Sequence, residues 1–164
     1  MDERIFEEGE YVVYPAHGVG IVKGFEHQNI SGIDLEMVII IFDKDKMVIK
    51  LPLNVSTSSK IRKLCSEKEM QEAVDYLKSP TRVKKMMWNH RAQEYEAKIN
   101  SGIPLSLAQV VRDLHRTATQ PEHSYSERQI YQEALDRLMK EYAAIVKIDE
   151  KEAMAYLEKV LSAA

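Results

Sequence analysis

The chain has 164 residues, a formal net charge of −3 and 45% hydrophobic residues, the profile of a globular protein with material for one core or two small ones. Its single cysteine, Cys65, excludes an intramolecular disulfide and a cysteine-built zinc cage, which needs about four ligands, and makes a reducing cytoplasm the expected compartment. The longest apolar run, Met37 to Phe42, is far below the roughly 18 residues of a membrane span, and the acidic start MDERIFEEGE is unlike a signal peptide.

Short strands separated by turn signals come first. YVVYP, residues 11 to 15, is β-branched and aromatic and closes on Pro15; GVGIVKGFE, residues 18 to 26, follows with glycines that permit sharp bends. Ser31 and Gly32 read as a turn. Then come LEMVIIIF at 35 to 42, the charged turn DKDK, MVIKLP at 47 to 52 and a short strand at KIRKL, 60 to 64. Five short strands in about 60 residues suit a small antiparallel barrel, which closes most of its edges.

From Ser66 the hydrophobic period changes from two to about 3.6. Ser66 with Glu69, and Ser124 with Glu127, have the spacing of capping boxes, in which side chains satisfy orphan backbone donors; DEKE at 149 to 152 is a weaker third case. Gly102 and Pro104 end one helix and permit the next, because Gly accepts the left-handed C-cap and Pro cannot continue a helix interior. These signals predict helices near 66–79, 86–100, 105–118, 125–146 and 149–162. The chain is therefore α+β, with a barrel over residues 1–62 and a helical bundle over 63–164.

The charge is uneven along the chain. Residues 1 to 58 hold 5 Lys/Arg against 10 Asp/Glu, residues 59 to 119 hold 12 against 7, and residues 120 to 164 hold 6 against 9. Between Lys78 and Arg91 there are five basic residues and no acidic one, so a polyanion contact would centre there. Inside that segment, KKMMWNHR places Trp88, the only tryptophan, beside Lys84, Lys85, His90 and Arg91. Two readings of Trp88 stand side by side. With Ala92, Tyr95 and Ile99 it recurs on one helix face, as a core stripe does; in the first turn after a basic segment, its ring can equally lie at the rim. Further on, Leu107, Val110, Val111, Leu114 and Ala118 make an apolar stripe with Arg112 and Arg116 on the opposite face, and Arg128 falls in the first turn of the next helix.

No catalytic constellation emerges. There is no GxxxxGK[ST] or GxGxxG, and GVG at 18 to 20 precedes a strand, so it aims no helix N-terminus at phosphate. The five histidines have no HExxH spacing, and neither a metal nor an organic cofactor is expected. Tyr11, Tyr14, Phe25 and Phe42 could form an aromatic cage for a methylated lysine, but their positions fit core-facing strand sites better. The barrel does offer a strand edge, at Gln28, Asn29 and Ile30 before the turn, able to pair with a strand of another protein.

Several segments resemble the CarD/CdnL family of bacterial transcription regulators. GEYVVYPAHGVGIV, residues 9 to 22, is similar to the family's opening pattern G-[DE]-x-[AV]-V-Y-P-x-x-G-[VA]-[GA]-x-[VI], and MVIKLP to its fourth strand. WNHRAQEYEAKINSG at 88 to 102, VVRDL at 110 to 114 and SYSER at 124 to 128 resemble three later segments, in order and at the right spacings. The resemblance implies an N-terminal Tudor-like barrel that binds the β subunit of RNA polymerase by strand pairing, and a helical domain that meets promoter DNA. It also implies a role for the tryptophan matching Trp88, as a wedge in the minor groove at the upstream edge of the melted bubble, where it stabilises the open complex without reading sequence.

On that resemblance Gln28, Ile30 and Lys50 fall at polymerase-contact positions, and Trp88, Arg91 and Arg128 at DNA-facing ones. An apolar wedge costs less at a junction already losing its stacking than in intact duplex, where unstacking takes roughly a few kcal/mol per step. Lys84, Lys85 and Arg91, with Arg112 and Arg116, are the expected phosphate contacts that orient it. Weak basic charge suffices because polymerase delivers the module at high effective concentration. The departures are His90, where the family often has Arg, Ala92, where it often has Tyr, and Gln28, where some members are basic. The expected product is a monomeric, non-enzymatic regulator; the alternative is an adaptor whose helices bind another protein.

Overall fold

The computed structural model describes residues 7–14, 17–42, 46–52, 61–79, 87–115 and 125–163. The chain divides into two compact units, Met1–Leu64 and Cys65–Ala164, each with its own apolar core. Lys84, Lys85, Arg116 and the Ser124 cap lie outside the described residues.

The first unit is a five-stranded antiparallel sheet of β1 (Tyr11–Tyr14), β2 (Gly18–Ile30), β3 (Ile33–Phe42), β4 (Met47–Pro52) and β5 (Arg62–Lys63), in the order β4-β3-β2-β1-β5. Val12 on β1, Val22 on β2, and Val38, Ile40 and Phe42 on β3 are buried in one cluster with Ile61. One sheet can enclose a core from its own strands only by curling over it, which gives the small Tudor-like barrel. Space inside is tight at Gly20, where a Cβ would come within 2.7 Å of Ile40 and 2.9 Å of Phe42. Glycine there lets β2 pass close over the core.

Both central strands run further than their sequence suggested, β2 to Ile30 and β3 from Ile33. They meet in a two-residue turn, Ser31 and Gly32, whose φ values of 53° and 80° are those of a type I′ hairpin, the turn that matches the twist of paired strands. The Asn29 side chain accepts a hydrogen bond from the Gly32 N–H at 3.1 Å, holding the turn. Polar residues such as His27, Gln28, Asp34 and Glu36 have little preference for strand, and cross-strand pairing overrides it. A bulge between Val22 and Gly24 inserts Lys23. That extra residue restores Phe25 to the core face opposite Val38, where strict alternation from Val22 would have turned it outward.

The second unit packs α1 (Glu67–Leu77), α2 (Trp88–Ser101), α3 (Pro104–Leu114), α4 (Tyr125–Val146) and α5 (Glu150–Ala163) around one core. Ser66 caps α1 by accepting from the Glu69 N–H at 3.1 Å, and Asp149 accepts from Glu152 at 2.7 Å ahead of α5. Gly102, at φ 68°, closes α2 in the left-handed conformation, and Pro104 opens α3. The third helix ends at Leu114 rather than 118, with His115 in extended backbone.

α3 is the central helix. Pro104, Leu107, Ala108, Val110, Val111 and Leu114 are buried around most of its circumference. Near the start of the unit, the half-buried Cys65 packs against the core, and its N–H donates to the buried carboxylate of Glu141 on α4 at 2.8 Å. That hydrogen bond fixes where the helical unit begins.

Candidate functional site

Trp88 occupies the first position of α2. Its N-cap, Met87, makes no side-chain capping bond, and no acidic residue lies in the first turn. The positive end of the helix dipole is therefore uncompensated, a local preference for anions. Both readings of Trp88 are realised together: the ring packs against the helical core at the head of the stripe with Ala92, Tyr95 and Ile99, yet it is only partly buried. It is a rim residue with a core foundation.

The ring has two neighbours on its own helix. Tyr95, almost fully buried, lies 6.2 Å away between centroids, tilted by 47°. The Arg91 guanidinium carbon lies 5.5 Å from the centroid of each of these two rings. Arg91 Nη2 donates to the Tyr95 hydroxyl at 3.1 Å, and that hydroxyl donates to Asp113 Oδ2 on α3 at 3.4 Å. Burial pushes the Tyr95 hydroxyl above its ordinary pKa, against the pull of Arg91. Burial also raises the Asp113 carboxyl, opposed by Lys98, the Tyr95 hydrogen bond, Arg91 and Arg112. His90 is exposed beside this group, and Arg128 is exposed in the first turn of α4.

Arg112 is a correction. The i, i+4 spacing put it on a solvent face with Arg116, but only 8% of it is exposed. Its Nη1 donates to the carbonyls of Leu77, at the end of α1, and Leu161, in the last turn of α5, at 3.0 and 3.4 Å. The guanidinium satisfies the carbonyl ends of two helices and opposes their dipoles; it is not available to a phosphate. Arg137 does similar work for Ile99 in α2, at 3.2 Å. Tyr95 and Asp113 were missed as site residues, since Tyr95 reads as core and Asp113 as an ordinary polar position. Their sequence signals are the place of Tyr95 one helical turn beyond Arg91 and two beyond Trp88, and that of Asp113 within VVRDL.

On the barrel, Gln28, Asn29 and Ile30 lie in β2 opposite Leu35, Asp34 and Ile33 of β3. The other side of β2 pairs with β1 only over Gly18–Ile21, and Gly9 and Glu10 extend that contact to Val22. Among the described residues no strand pairs with that side of β2 beyond Val22. In a two-residue hairpin the residues flanking the turn, here Ile30 and Ile33, bond to each other, so His27 and Asn29 turn their backbone groups to the open side. Ile30 and Ile33 are 50% and 60% exposed. Lys50 forms a 2.8 Å ion pair with Glu26, reaching across β3 to β2, and that partner holds the Glu26 carboxyl below its usual pKa.

The family model described as "CarD, C-terminal domain" matches residues 72–158, and that described as "CarD-like/TRCF RID domain" matches residues 6–65. The chain belongs to the CarD family. It is 25% identical over 152 residues, 93% of this chain and 99% of the relative, to a Bacillus subtilis (strain 168) protein described as "Putative transcription factor YdeB". The CarD family is one of transcription regulators, and that is the class of this protein. No helix among the described residues is long and apolar enough to cross a membrane.

Proposed function

We propose that this CarD-family protein binds the β subunit of RNA polymerase through the open side of β2 and stabilises the open promoter complex through Trp88, without reading base sequence. The observation that carries the reading is the placement of Trp88: a large ring at the rim of the helical unit, braced from behind, at an uncapped helix start free of acidic residues. A braced ring can enter a base step at the bubble edge without losing much of its own freedom. The basic residues ahead of Trp88, from Lys78 to Lys85, supply phosphate contacts that carry no sequence information.

On the barrel the proposed contact is strand addition. Backbone groups of His27 and Asn29 pair with a β-subunit strand, and the exposed Ile30 and Ile33 cover its apolar side chains. Lys50 and Gln28 border this surface. Comparing wild type with Trp88→Ala for the lifetime of open complexes on purified polymerase tests the reading. The variant is expected to fold and bind polymerase but to lose most of the lifetime gain, and an undiminished gain refutes the wedge.

A further inference from the structure

The Arg91 guanidinium lies 5.5 Å from the Trp88 centroid and 5.5 Å from the Tyr95 centroid, its Nη2 is tied to the Tyr95 hydroxyl, and that hydroxyl is tied in turn to Asp113 on a second helix. Its Nε is buried and has no hydrogen-bond partner among the described residues. An arginine serving as a phosphate handle keeps its donors in water until the phosphate arrives; leaving one buried and unsatisfied carries a cost, which the two ring contacts offset.

We infer that Arg91, Tyr95 and Asp113 form a positioning relay that fixes the plane of Trp88, so that Arg91 serves this site by stacking rather than by holding phosphate. The inference rests on Trp88 as the DNA wedge. Each member has a distinct part. Arg91 braces the ring of Trp88, Tyr95 supplies both a second ring and the hydroxyl that orients the guanidinium, and Asp113 anchors that hydroxyl to α3, the helix least free to move because it is buried on most sides.

Arg91→Lys separates the two roles of Arg91, since lysine keeps the charge a phosphate needs and loses the plane that stacks. Tyr95→Phe keeps the buried ring and removes only the hydroxyl, and urea unfolding checks that both variants are folded. The first readout needs no DNA: Trp88 is the sole tryptophan, so its time-resolved anisotropy reports the motion of this ring alone. Both variants should increase the amplitude of fast ring motion about twofold and cut the open-complex lifetime gain by about threefold, the loss of roughly one cation–π contact. In a Trp88→Ala background neither substitution should change the lifetime further.

A wild-type gain and an equally still ring in Arg91→Lys overturn the relay. So does an effect of Arg91→Lys that persists undiminished in the Trp88→Ala background, which assigns the residue to phosphate. If Trp88→Ala itself leaves the lifetime unchanged, the wedge reading fails, and the anisotropy of the DNA-free protein still decides whether the relay holds the ring.

Discussion

Arg91 and Arg112 are the same side chain on neighbouring helices with opposite fates. Arg91 keeps partial exposure at a helix start, whereas Arg112 lies on a helix whose apolar positions occupy most of the circumference, and it donates to the carbonyls ending α1 and the last turn of α5. Replacing Arg112 by Met should leave those carbonyls without their charged donor and cost about 2 to 4 kcal/mol, read as a lower urea midpoint, with open-complex stabilisation retained by the fraction that stays folded. The i, i+4 spacing of two arginines could not reveal this, because spacing says which residues share a face and nothing about what covers it. The segment PLSLAQVVRDL did hold a clue: with two charged residues in eleven, it is too apolar for a surface helix. For Trp88 the two sequence readings were not rivals. A stripe at helical spacing and a place in the first turn are both true of a residue standing where the core meets the surface.

Between the hairpin and its neighbours, the proposed binding surface of the barrel is the open side of β2. Proline at His27 removes an N–H that points away from β3, so it should spare the β2–β3 ladder and abolish strand addition. His27→Pro is expected to remain folded and lose polymerase binding in a pull-down with purified β subunit; retained binding would move the contact elsewhere. The Glu26–Lys50 pair makes a separate statement about pH. Because the folded pKa of Glu26 lies below its ordinary value of 4.5, the pair's contribution is complete above that value and disappears as pH falls through the folded one. The urea midpoint of wild type should exceed that of Glu26→Gln at neutral pH, and the gap should narrow as the pH falls below 4.5 and the carboxyl of the folded protein protonates. Helix boundaries set by caps were legible, since Ser66, Gly102 and Pro104 act through their own backbone neighbourhood. The reach of β2 and β3 was less so. Pairing and a one-residue bulge, both properties of two strands together, decide which residues join and which way Phe25 points.

Taken as a whole, the chain is slightly acidic, with a formal net charge of −3. Met1–Leu64 holds 8 Lys/Arg against 10 Asp/Glu, and Cys65–Ala164 holds 15 against 16. Free protein should therefore bind duplex DNA weakly, and its affinity should fall with salt with a log–log slope of only about −1 to −3, the signature of a few phosphate contacts; a titration monitored by Trp88 emission across salt concentrations measures it. A steep slope would mean a basic surface larger than the Lys78–Arg91 segment. The barrel side is comparably economical. In the proposed strand addition His27 and Asn29 would offer a partner about four backbone hydrogen bonds, each worth about 1 kcal/mol net, so that contact alone would give a short residence time. On the proposed function both grips are weak, so the protein would stay only while polymerase and an open bubble are offered together, and would depart without an ejecting factor once the enzyme leaves the promoter and the upstream fork closes.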